Sequence, residues 1–138
     1  MSMESSGLKA PRLKSPLGQA IGHGSAHAGT EHFLAQRLTA IALVPLTLWL
    51  AFSLLMLPAL DFYTVTAWAA APLHAVGLAL LVIALTYHSS LGLQVVIEDY
   101  VHANGPRIVL QVLLRLVHAA LAVAGILAVI QIATRASL

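Results

Sequence analysis

The sequence predicts an all-α membrane protein with three transmembrane helices. Two observations carry that prediction: charge is scarce, and apolar residues gather into three long runs. Of 138 residues, 59% are hydrophobic and 9% are charged, seven basic and five acidic. A soluble domain normally carries about 25% charged residues to clothe its surface, so most of this apolar surface must face something other than water. The runs span about 38–60, 73–97 and 108–133, each at least as long as the ~20 residues an α-helix needs to cross a hydrocarbon core of ~30 Å. Lipid offers no hydrogen bonds, which selects helix over isolated strand because a helix pairs its backbone within the segment. The length suits one compact unit, read as a polar tail over 1–36 and a three-helix anchor domain over 37–138.

Residues 1–36 are polar, glycine-rich and proline-punctuated, with positive charge from Lys9, Arg12 and Lys14. They read as a mobile tail that orders against partners. The first long apolar run starts too late and runs too long for a signal peptide, whereas a basic, acid-poor tail also fits a transit peptide. His23, His27 and His32 recur among small residues; they read as solvated loop histidines, with metal binding as the alternative. Pro45 lies in the first run, where it is expected to kink the helix. Pro58 and Pro72 bracket a loop over 59–71, and Asn104, Gly105 and Pro106 read as a turn before the third helix.

The flanks orient the bundle. Lys9, Arg12, Lys14 and Arg37 precede the first run and Arg107 follows the second, while 59–71 has no Lys or Arg and carries Asp61, Phe62, Tyr63 and Trp68. The positive-inside rule places the N-terminus and 98–107 on the cytoplasmic side and the C-terminus on the periplasmic side, against the single charge of Arg135. Cysteine is absent, which excludes disulfides, thiol catalysis and an iron–sulfur site ligated by this chain. The scattered basic residues make no nucleic-acid footprint.

Ionisable groups at membrane depth are costly and therefore informative. His74, at the outer edge of the second run, reads as interfacial, meeting headgroups or a loop carbonyl. His88 lies well inside, roughly 13 Å from the inner end at ~1.5 Å per residue. Ala84 and Gly92, four residues to either side, share its face. A projecting imidazole between small residues suits a porphyrin whose iron takes a neutral ring nitrogen. Close helix packing with an interhelical hydrogen bond from His88 explains the same pattern.

Glu98, Asp99, Tyr100 and His102 cluster at the inner end of the second run. Carboxylates at a helix C-terminus oppose the macrodipole, which argues against a purely structural role. Tyr100 combines an apolar ring with a phenolic donor that matches a quinone carbonyl, and Asp99 is placed to orient partners or relay protons. A belt tyrosine in a solvated acidic turn is the alternative. Arg37 and Arg115 carry the planar fork that suits carboxylates such as haem propionates; snorkelling to lipid phosphates is the other reading, favoured for Arg115. His118 lies about 15 Å into the third run, near the depth of His88, so a second axial ligand from this chain ranks behind one from a partner.

The stretch His88-Ser-Ser-Leu-Gly-Leu-Gln-Val-Val-Ile-Glu-Asp-Tyr-Val-His102 resembles the second-helix signature of the small hydrophobic anchor subunits of succinate dehydrogenase. Glu31-His-Phe-Leu-Ala-Gln-Arg37-Leu-Thr-Ala-Ile41 is similar to the stretch that introduces that family's first helix. The resemblance covers roughly 30–105, and the third helix by hydropathy alone. It implies a b-type haem shared with a sister cytochrome b anchor subunit, and docking of an iron–sulfur subunit that carries a flavoprotein subunit, so that electrons from succinate reach ubiquinone. By that resemblance His88 is the axial haem iron ligand, Tyr100 and Asp99 belong to the quinone site, and Arg37 stands near haem and quinone. Glu31 and His32 fall where the family varies, and the other axial histidine belongs to the sister subunit. The chain would contribute to these sites without a succinate or flavin site of its own, in the lipid bilayer of a bacterial inner membrane or, as the lesser alternative, a mitochondrial one.

Three rival functions remain from sequence alone. A fumarate reductase-type anchor would run the same architecture in reverse. A haemless anchor or assembly protein would use His88 for packing. A small oligomeric carrier would use His88 and Arg115 as an ion path, although the runs hold no intramembrane carboxylate and no evident internal repeat.

Overall fold

The computed structural model describes residues 27–135. Lys9, Arg12, Lys14, His23 and the side chain of His27 lie outside the described residues. Four helices follow in order: α1 (His27–Leu55), α2 (Phe62–Ala70), α3 (Pro72–Tyr100) and α4 (Asn104–Arg135). No strand occurs among the described residues. The three long helices are apolar and long enough to cross a membrane, as the sequence predicts.

The boundaries differ from the apolar runs for physical reasons. α1 begins eleven residues ahead of Leu38, because hydropathy locates the lipid-facing run and not the helix. The same helix stops at Leu55. Leu57 precedes Pro58, whose ring disfavours the α conformation in the residue before it, and the end tightens as Leu57 N–H donates to Leu54 O at 3.3 Å. Pro45 is accommodated inside α1, which continues through it. Asn104, Gly105 and Pro106 form the first turn of α4 and not a separate turn. A proline there removes a donor that would have no intrahelical acceptor anyway.

The region read as a loop over 59–71 contains α2. Asp61 caps it from extended backbone at φ −89°, ψ 166°. One carboxylate oxygen accepts from Thr64 N–H at 3.0 Å and the other from Thr64 Oγ1 at 2.7 Å, meeting donors that the first turn leaves free. These bonds favour the ionised form and hold the Asp61 carboxyl below its ordinary range. Ala71 closes α2 and Pro72 opens α3 in the first helical position.

In space α3 is central: it packs against α1 on one side and α4 on the other, and α2 folds over α3 and α4. Two glycines let helices approach. A Cβ at Gly77 would lie 2.6 Å from Cη2 of Trp49, and one at Gly125 would lie 2.8 Å from a methyl of Val82. Trp49 cannot easily yield, because it stacks on Trp68 at 5.8 Å, and Trp68 stacks on His74 at 4.7 Å. His74 donates Nδ1–H to Trp68 O at 2.7 Å, so the carbonyl it meets belongs to the last turn of α2 and not to a loop. The core of the chain alone is small: Ala69, Leu81 and Leu91 are its buried hydrophobic residues. The rest of the apolar surface is left for lipid and partner helices.

Two outcomes follow for stability. Gly77→Ala gains ~1 kcal/mol of helix propensity but forces Trp49 from its stack at a cost of ~1–3 kcal/mol, so a thermal melt in detergent will show net destabilisation. The Asp61 cap contributes fully above the ordinary carboxyl value of 3.8 and is lost as pH falls through the lowered native value. The protection factor of the Thr64 amide, its exchange measured against the intrinsic rate at each pH, will therefore fall in acid, and Asp61→Ala will lower it at neutral pH.

Candidate functional site

The seam between α1 and α3 holds a row of polar side chains. α1 presents His32, Gln36 and Thr39 at helical spacing, all half-buried. α3 answers with His88, and the two helices meet where Thr39 Oγ1 lies 3.0 Å from His88 Nδ1. One turn nearer the end of α3, Gln36 lies over Gly92, with its amide nitrogen 3.6 Å from where a Cβ would stand. A Cβ there would make an ordinary contact, so the approach of the helices does not require glycine at 92; Gln36 occupies that flank of the groove beside His88. Next to it, Gln36 Oε1 and His32 Nε2 are buried without a hydrogen-bond partner among the described residues.

His88 thus uses one ring nitrogen between helices and keeps the other. Among the described residues Nε2 makes no hydrogen bond, and it is not among the buried unpartnered atoms. The interhelical hydrogen bond and metal ligation, alternatives in the sequence, fall on different nitrogens and are compatible. A half-buried imidazole with one nitrogen held and the other without a partner among the described residues is one that could hold a metal through the second. No group of three or more His, Cys, Asp or Glu suited to a bare metal ion occurs among the described residues.

His118 is not brought into this seam. Its Nδ1–H donates to Leu114 O at 2.9 Å, and with Arg115 it lines an open groove of about 520 Å³ between α3 and α4, beside Tyr87, Ser90 and Gln94. Arg115 is exposed. Arg37 is exposed on α1, and its guanidinium lies 5.2 Å from the centre of the Phe33 ring, a cation–π contact that keeps its donors outward.

At the far end of α3, Glu98 accepts hydrogen bonds from Gln94 at 2.9 Å and from Gln111 of α4 at 3.0 Å. Those bonds tie the end of α3 to α4. Asp99 and Tyr100 lie just beyond, both exposed, Tyr100 by 79%, and neither side chain makes a hydrogen bond among the described residues. The chain turns at Val101, whose N–H closes on Ile97 O at 2.9 Å, and His102 lies exposed past the helix.

Thr39, Gln36 and Gln111 were not singled out by sequence reasoning. Their signal was modest: uncharged polar residues inside or beside apolar runs, at helical spacing from one another in the case of Gln36 and Thr39. Pairing them with α3 required knowing which faces meet.

Comparison with known proteins places this geometry. The family model described as succinate dehydrogenase/fumarate reductase transmembrane subunit matches residues 11–132. The succinate dehydrogenase hydrophobic membrane anchor subunit of Rickettsia bellii (strain RML369-C) is 40% identical over 106 residues, covering 77% of this chain and 85% of that protein. The protein of the same description from Rickettsia conorii (strain ATCC VR-613 / Malish 7) is 33% identical over 105 residues, covering 75% and 83%.

Proposed function

The chain belongs to the succinate dehydrogenase/fumarate reductase transmembrane subunit family, among the hydrophobic membrane anchor subunits of succinate dehydrogenase, and from that premise we propose that it ligates haem b through His88, helps form a ubiquinone site at Asp99 and Tyr100, and docks the soluble subunits. It is a multi-pass membrane protein that associates with the other subunits of its complex. The observation that carries the finer reading is His88 on the central helix, with Nδ1 held by Thr39 and Nε2 free.

A b-type haem, when bound, supplies one-electron redox chemistry at an iron with axial protein ligands. His88 would hold it through Nε2, with the second ligand from the sister cytochrome b anchor subunit. His118 faces a different groove, which supports assigning that ligand to the partner. Arg37 stands outward at the same end of the bundle as Tyr100, available to a propionate or to the quinone region.

The Tyr100 hydroxyl donates to a quinone carbonyl, orienting the ring and stabilising negative charge as electrons arrive. Asp99 beside it is exposed to water and supplies a route for the protons that quinone reduction consumes. Glu98 holds this helix end in place through Gln94 and Gln111. The iron–sulfur subunit, carrying the flavoprotein, covers this end, which the positive flanks place on the cytoplasmic side. The bacterial relatives support an inner-membrane location.

His88→Ala will lower the haem content of the purified complex, seen as a diminished b-type signal in the reduced-minus-oxidised spectrum; undiminished haem would overturn the ligand assignment. Tyr100→Phe will slow quinone reduction by about tenfold, as expected for losing a hydrogen bond worth ~1.5 kcal/mol, while succinate oxidation by an artificial acceptor stays intact. Equal loss of both activities would instead mark an assembly defect.

A further inference from the structure

The hydroxyl of Thr39 has one proton and three polar neighbours. Its oxygen lies 2.8 Å from Ala35 O, 3.1 Å from Gln36 O and 3.0 Å from His88 Nδ1. The carbonyls can only accept. Were the Thr39 proton given to Nδ1, the hydroxyl oxygen would face two carbonyl oxygens with no hydrogen between them, lone pair against lone pair. With the proton given to Ala35 O, the hydroxyl oxygen is free to accept Nδ1–H, and the contacts are attractive. The second arrangement is therefore the stable one. A neutral imidazole carries a single N–H, so Nδ1–H leaves Nε2 with an open lone pair.

We infer that Thr39 is a positioning residue for His88: its hydroxyl fixes the rotation and the Nδ1–H tautomer of the ring and so presents Nε2 as a metal ligand. The inference rests on the proposed ligand role of His88. The other membrane histidines show what is distinctive here. His74 and His118 give Nδ1–H to the backbone carbonyls of Trp68 and Leu114, acceptors that no side-chain substitution removes. His88 depends on a side chain of another helix, so the alignment of α1 with α3 sets the geometry of the ligand. An acceptor on Nδ1–H also raises the basicity of Nε2. Stronger donation to a bound iron favours its oxidised form and lowers the reduction potential.

The test compares Thr39→Val, which keeps shape and removes the acceptor, with Thr39→Ser, which restores it. The intact complex is purified through a tag on the chain. Haem content, the midpoint potential from optical titration and the g-values of the oxidised haem are read for each. Thr39→Val is expected to raise the potential and shift the g-values, or to lose haem, with Thr39→Ser returning both readings to the parent. Unchanged potential and g-values in Thr39→Val overturn the inference. Equal change in both variants assigns the effect to side-chain volume and overturns it as well. If Thr39→Val fails to assemble, Thr39→Ala is read by the same criteria. His88→Ala separates the two levels: if it keeps its haem, the ligand reading itself has failed, whereas its loss of haem beside an unaltered Thr39→Val leaves that reading standing and removes only the role of Thr39.

Discussion

Hydrocarbon cannot donate or accept a hydrogen bond, and the placement of polar groups in this chain follows from that constraint. The backbone meets it by running as three long helices, α1, α3 and α4. The hydroxyl side chains meet it locally: Thr47 and Thr86 return their protons to carbonyls one turn back at 2.7 Å. Thr39 does the same, and its position on the face that meets α3 lets a remaining lone pair serve a second helix. His74, His88 and His118 obey the same rule by spending Nδ1–H on an acceptor. What distinguishes His88 is that its acceptor lies across a helix interface.

The packing shows how a subunit can be well formed and still incomplete. α3 is flanked by α1 and α4, yet few of its residues are buried by this chain alone. Close approach is secured by glycine at Gly77 and Gly125 and by the Trp49–Trp68–His74 stack at one end. At the other end, Glu98 ties α3 to α4. The exposed apolar faces are what lipid and partner helices require, since helix association in a bilayer rests on packing and polar contacts more than on hydrophobic drive. The proposed sites share this logic: Nε2 of His88 and the hydroxyl of Tyr100 would each engage a group supplied by another molecule.

The three membrane helices were legible because lipid selects composition over long windows, and 20 or more apolar residues leave little else to form. The short helix α2 was overlooked: Pro58 and Pro72 on either side of 59–71 suggested a loop, while the decisive feature was Asp61 meeting Thr64 three residues on. His88, Asp99, Tyr100 and Arg37 were legible as chemistry-bearing types in unusual places. Their partners were not. Thr39 looks like any helix-interior threonine until α1 is docked on α3, and Gly92 suggested an open groove where Gln36 lies.

Sequence by itself determined the membrane class, the number of spanning helices and the family. These depend on composition, short motifs and periodicity along one chain segment. Tertiary structure decided that α3 is central, that His88 turns to α1 while His118 turns to another groove, and which imidazole nitrogen is committed. Those depend on the relative rotation of helices, which is set by the fit of glycines against tryptophan and valine and by single hydrogen bonds between residues far apart in the chain.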